Sequence, residues 1–135
     1  MKNLTIMVLL VLGSILVSGG LCFGEETNPV VQIEDAAICQ DVADRAPVGG
    51  GDVFPKEVTR LFCFTRVVGA ETETEITHNW YYKGSLQASV VLNVGSKNWR
   101  TWSSKSFMPG SDGEWMVEVL SKDGVPLESI IFFIQ

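Results

Sequence analysis

The stretch Ile76-Thr77-His78-Asn79-Trp80-Tyr81-Tyr82-Lys83-Gly84 constrains the fold most, because it holds the only histidine and three of the six Trp and Tyr residues of the chain. Side chains on a β-strand alternate between faces. Ile76, His78, Trp80 and Tyr82 therefore share one face, and Thr77, Asn79, Tyr81 and Lys83 share the other. The Ile76 face is expected to meet the core. The segment reads as a central strand with a tryptophan in its middle, and Lys83-Gly84-Ser85 turns the chain into the next strand.

Strand-like and turn-like stretches alternate along the rest of the chain. Residues 60–68 are rich in aromatic and β-branched side chains, residues 86–94 alternate apolar and polar, and residues 99–107, 115–120 and 127–134 continue the pattern. Residues 36–42 read as a further strand, ended by Asp44-Arg45-Ala46-Pro47, and Gly49-Gly50-Gly51-Asp52 reads as a turn. No stretch has the length and 3.6-residue period of an amphipathic helix. The expected fold is all-β, a single antiparallel β-sandwich of about seven strands with immunoglobulin or fibronectin architecture; a small β-barrel is the alternative. The last strand, Ile130-Ile131-Phe132-Phe133-Ile134, is apolar on both faces, so it needs cover from the opposite sheet and invites a partner or a second copy.

Lys2, an uncharged apolar run over residues 4–23 and then Glu25-Glu26 have the order of a secretory signal peptide, with cleavage after Gly24. An uncleaved membrane anchor is the competing reading, weakened by Gly13, Ser14, Ser18, Gly19 and Gly20. The expected organisation is a signal peptide over residues 1–24, a flexible lead-in over 25–34 and one sandwich domain over 35–135, exported to the periplasm or beyond. Contact with a membrane is expected only through an uncleaved signal segment. A formal net charge of −6 repels phosphate backbones and argues against nucleic acid as a partner. Cys39 and Cys63 remain after processing. A bond between them would close a loop of about 25 residues, contributing about 3.5 kcal/mol. Two buried free thiols among Ile38, Phe62 and Phe64 are the equal alternative.

Several strings also carry a family pattern. Residues 39–48, Leu61-Phe62-Cys63-Phe64-Thr65-Arg66-Val67, Thr77-His78-Asn79-Trp80-Tyr81-Tyr82, Trp99-Arg100-Thr101-Trp102-Ser103-Ser104-Lys105 and residues 113–120 resemble domain-of-unknown-function family 2914. The resemblance implies a bacterial envelope location and brings no activity, cofactor or catalytic residues with it.

His78 is the natural candidate for acid–base chemistry, since an imidazole titrates near neutrality. A hydrolase or transferase would pair it with Ser103 or Ser104 as nucleophile and with Asp41 or Asp44 as orienting acid, yet no nucleophile-elbow motif is present. The bland reading is a histidine satisfied by hydrogen bonds inside the fold. One histidine and two separated cysteines do not compose a zinc site, and Glu71, Glu73 and Glu75 lack the spacing of a calcium loop, so no metal or other cofactor is expected. Arg45, Arg60 and Arg66 lie near Asp41, Asp44, Asp52 and Glu57 in sequence and are expected to form internal ion pairs.

The most informative surface candidate is Trp99-Arg100-Thr101-Trp102-Ser103-Ser104-Lys105. Strand alternation sends Trp99, Thr101, Ser103 and Lys105 one way and Arg100, Trp102, Ser104 and Ser106 the other. An outward indole beside a cation and hydroxyls suits sugar stacking, carboxylate recognition or a protein contact. The binding set expected from sequence is Trp99, Arg100, Trp102, Ser104, Lys105 and His78, in a non-enzymatic binding or accessory module that contacts a glycan or an envelope protein. The purely structural alternative is an arginine stacked on an indole with hydroxyls satisfying an edge strand.

Overall fold

The computed structural model describes residues 31–135. The expected signal peptide, and the expected lead-in as far as residue 30, lie outside the described residues. Ten strands follow in order: β1 Gln32–Cys39, β2 Asp41–Ala43, β3 Ala46–Val48, β4 Val53–Phe54, β5 Arg60–Val68, β6 Thr74–Tyr82, β7 Ser85–Val94, β8 Asn98–Ser106, β9 Gly113–Ser121 and β10 Pro126–Ile134. A three-stranded sheet, β1-β5-β8, faces a five-stranded sheet, β4-β10-β9-β6-β7, and β2 and β3 form a separate ribbon. All strand pairs are antiparallel except β4 with β10. This is the immunoglobulin/fibronectin-like sandwich. Two distinct sheets, with β7 and β8 left as edges, replace the barrel alternative.

Alternation decides which residues make the core. In β6, Ile76, His78 and Trp80 are fully buried, whereas Thr77, Asn79 and Tyr81 on the other face are half-buried. In β5, Leu61, Cys63, Thr65 and Val67 all point to the opposite sheet and are fully buried. The apolar part of the core lies in two clusters. One surrounds Trp80 and includes Ile38, Leu61, Cys63, Phe107, Trp115 and Phe132; the other includes Val31, Val67, Ile76, Val94 and Val119. Trp80 meets Phe107 and Phe132 edge to face, with ring centroids at 6.5 and 6.2 Å, an arrangement favoured by the ring quadrupole.

The six long strands β5 to β10 stand where the alternation predicts them, but the amino-terminal part differs from the sequence reading. β1 starts at Gln32, inside the segment read as lead-in, and Val31 is already core. The strand expected over 36–42 is divided at Gln40, where the chain leaves the sheet to form the ribbon. The string Asp44-Arg45, read as a break, is a two-residue hairpin turn between Ala43 and Ala46, with φ of 51° and 60°. Such turns usually carry Asn-Gly, because left-handed backbone is costly for most side chains. Lys83-Gly84, with φ of 47° and 80°, makes the same kind of turn between β6 and β7 and keeps the glycine. The closing strand β10 buries Phe132 and Ile134, and β4 pairs with its last two residues, Phe133 and Ile134. Ile131 and Phe133 stay exposed on the outer face.

Register also decides the cysteine question. Cys63 lies opposite Ile38, and Cys39 lies opposite Phe62. Directly paired residues share a face while neighbours along a strand do not, so the two thiols project to opposite sides of the sheet. Both are free and buried. Burial pushes both thiols above their ordinary pKa, Cys63 most strongly. For protein spanning residues 25–135, which carries Cys39 and Cys63 but not Cys22, two free thiols per molecule are expected by thiol titration after unfolding in denaturant, even when it is purified under oxidising conditions; a value of zero would overturn this register.

Candidate functional site

Five groups on three strands form one buried hydrogen-bond chain between the sheets. Thr65 on β5 donates its hydroxyl to the carbonyl of Thr101 on β8, at 2.9 Å. Its oxygen therefore accepts from His78 Nε2, at 3.2 Å. That contact assigns the imidazole proton to Nε2 and leaves Nδ1 as an acceptor. Ser103 donates to Nδ1 at 2.6 Å, and the Ser103 oxygen accepts from the Trp80 indole at 3.1 Å. Each donor has one acceptor, and among the described residues no buried side-chain polar atom lacks a partner.

His78 is 0 % exposed and Ser103 is 5 % exposed. The sequence grouped His78 with the surface residues, and the structure corrects this: alternation on a central strand carries it inward with Ile76 and Trp80. Of the nucleophile candidates, Ser103 reaches the imidazole, while Ser104 points outward. The group on the far nitrogen is the Thr65 hydroxyl in place of a carboxylate. Asp41 and Asp44 stand on the exposed ribbon. Burial lowers the His78 pKa from 6.5 to about 4, since removing an imidazolium from water costs more than removing the neutral ring.

Strand β8 separates the remaining sequence candidates by face. Trp99 points inward and packs against the second apolar cluster, so it is a core-edge residue. Lys105 also faces inward and closes the end of the aromatic core, with Nζ at 5.6 Å from the Phe107 ring centre and 5.7 Å from that of Trp115. Its stem and charge are engaged with these rings. Arg100, Trp102 and Ser104 project outward. Trp102 is half-buried because it stacks on Phe64 of β5, with ring centroids 6.4 Å apart and planes at 19°.

Around Trp102 the outer face is rich in arginine. Arg66 and Arg100 lie directly opposite each other on β5 and β8. Arg66 is engaged by Glu34 at 3.7 Å and by the Asn98 amide oxygen at 3.0 Å. Arg100 reaches only the backbone carbonyl of Arg45, at 3.5 Å, which brings the ribbon turn over β8. Among the described residues the Arg66–Glu34 contact is the only ion pair. The pairs expected for Arg45 and Arg60 with the nearby acids do not form: Arg60 meets the Ser106 hydroxyl, and Arg45 sits exposed at the ribbon tip. Sheet register, not closeness in sequence, chooses these neighbours. A groove of about 380 Å³ lies here, lined by Arg45, Asn93, Trp99, Arg100, Thr101 and Trp102. The sequence missed Arg45, which lies far from β8 along the chain, and Asn93, which sits near the end of the preceding strand, in the other sheet.

The linkage has a definite sign. Between the unfolded value of 6.5 and the folded value of about 4, the unfolded chain binds a proton that folded His78 refuses. Unfolding free energy should be full above pH 6.5 and should fall by about 3 kcal/mol as the pH drops towards 4. Urea unfolding of the wild type beside His78→Gln at pH 7, 5.5 and 4.5 isolates the term, since carboxylate effects are common to both. Imidazole NMR should show the Nε2-protonated tautomer at neutral pH, and a titration midpoint near 6.5 would contradict the burial.

Residues 73–134 match the family model described as Protein of unknown function (DUF2914). The match takes in the strings at 77–82, 99–105 and 113–120, while those at 39–48 and 61–67 lie outside it. No curated protein matches the chain. Among solved structures the chain is similar to the CARDB domain of a Pyrococcus furiosus protein. A solution NMR structure of that domain is 13% identical, with 78% of this chain and 94% of that chain covered and a TM-score of 0.48. A crystal structure of the same domain in complex with di-metal ions is 13% identical, with coverages of 74% and 92% and a TM-score of 0.45. The segment that is similar to this family of proteins of unknown function, residues 73–134, supplies strands β6 to β10.

Proposed function

We propose that this chain is an exported, non-enzymatic binding or accessory module of the bacterial envelope. Its contact surface is the outer side and open edge of β8 together with the ribbon turn. The observation that carries the reading is the half-buried Trp102 ring, which lines one groove with Arg100 and Arg45 and no carboxylate. An indole with one free face beside guanidinium groups is the composition of interface hot spots and of sugar-stacking sites. Export rests on the signal-like order of Lys2, the apolar run and Glu25-Glu26. A glycan or another envelope protein is the partner.

The protein spanning residues 25–135, immobilised and exposed to native envelope extract, is expected to retain a glycan or protein fraction. The Arg100→Ala, Trp102→Ala double variant should lose it while keeping the wild-type circular dichroism. Trp102 is the informative indole, because Trp99→Ala would open the second apolar cluster. Equal retention by wild type and variant would remove this face from consideration.

One observation favours a second reading, a hydrolase based on His78: the 2.6 Å contact between Ser103 and Nδ1. That chemistry needs substrate at a serine enclosed between two sheets, with no carboxylate behind the histidine. An activated-serine probe such as a fluorophosphonate is expected to leave the folded protein unlabelled. Labelling at Ser103 that disappears in His78→Gln would establish the enzyme and displace the binding reading.

A further inference from the structure

Arg45 and Arg100 each occupy a position where local stability favours another residue. Arg45 holds φ of 60° in a two-residue turn that would be more comfortable with glycine. Arg100 stands directly opposite Arg66, a like-charge pair across the strands. Departures of this kind cluster where function demands a particular side chain. Here both are arginines, and both line the same groove.

Charge sharpens the point. The chain carries 16 acidic and 10 basic residues, yet the only charged groups lining the groove are the two guanidiniums. Glu34 answers Arg66, whereas Arg100 has one long bond to a carbonyl and keeps most of its five N–H donors available. The remaining lining is an amide (Asn93), a hydroxyl (Thr101) and two indoles. A volume of about 380 Å³ suits one or two sugar rings more than a protein surface.

We infer that the groove binds a carboxylate-bearing sugar. Arg100 and Arg45 hold the carboxylate, the ring lies against Trp102, and Asn93 and Thr101 meet hydroxyls. A planar carboxylate matches the fork of a guanidinium. This inference rests on the reading of the β8 face as the contact surface and adds the class of ligand.

The test is an NMR titration of the protein over residues 25–135 with tri-galacturonic acid and N-acetylmuramic acid. Their methyl esters, neutral at the carboxyl, run alongside, with sodium acetate and inorganic phosphate as bare anions. At least one acid should give saturable shifts confined to β8, the ribbon turn and the end of β7. Its ester should bind at least about tenfold more weakly, and added salt should weaken the acid. Arg100→Gln should lose binding to a similar degree. Arg45→Gly gives a readout that a structural arginine would not: the turn relaxes, Tm rises, and affinity for the acid falls.

Ester and acid binding equally at the groove would overturn the carboxylate while leaving the contact face standing. Acetate or phosphate binding as tightly as the sugar acid would overturn the sugar. The absence of groove shifts with either acid would overturn the inference as a whole, and the envelope pull-down would then decide separately whether the face binds anything.

Discussion

The chain of hydrogen bonds from Trp80 through Ser103, His78 and Thr65 to the Thr101 carbonyl is the interaction on which the two-sheet arrangement depends. Two of its side chains come from β6 and three of its groups from β5 and β8, so it crosses between the sheets. Each bond adds about 1 kcal/mol net, but leaving one buried group unpaired would cost more than that. Sliding either sheet by one residue would strand an imidazole, an indole N–H and two hydroxyls in an apolar interior. The polar layer sits beside the aromatic cluster around Trp80 and the smaller cluster around Ile76 and Val94. Apolar burial supplies most of the driving force, and the polar chain selects one alignment for it.

With the inner faces committed in this way, the outer faces are free to differ. On the five-stranded sheet, Ile131, Met116, Tyr81 and Leu86 make one apolar row across four strands. On the three-stranded sheet the corresponding surface carries Arg66, Arg100 and Trp102, and the ribbon turn brings Arg45 beside them. All four arginines of the sequence belong to this sheet or its ribbon. An acidic protein therefore presents a cationic, aromatic groove on one side. The same strand serves both ends: inward Ser103 holds His78, and outward Trp102 lies on Phe64.

Much of this is legible in the sequence. The period of two in residues 76–82 predicted that the Ile76 face is core, and β6 follows it. In residues 86–94 it holds from Ala88 onward, because a bulge at Trp80 and Tyr81 turns Leu86 outward. In residues 99–105 it divided the side chains into two faces without choosing the inward one. The same rule applied to β8 correctly separates Trp99 from Trp102. The errors came from treating one string as one site. Trp99 and Lys105 belong to the core side of the strand whose other side carries Arg100 and Trp102, and His78 is shielded by both sheets. The ribbon was missed because Asp44-Arg45 lacks the usual chemistry of a tight hairpin turn, although its backbone adopts that turn.

By itself, the sequence determined the long strands and which side chains of each share a face, because alternation is a local consequence of backbone geometry. Only the tertiary structure decided that Ser103, rather than Ser104, meets His78, that Cys39 and Cys63 face apart, and that Arg45 comes to lie over β8. Those outcomes depend on register between strands separated by tens of residues. Register is chosen by the sum of buried contacts across two sheets, a quantity that no single stretch of the chain contains.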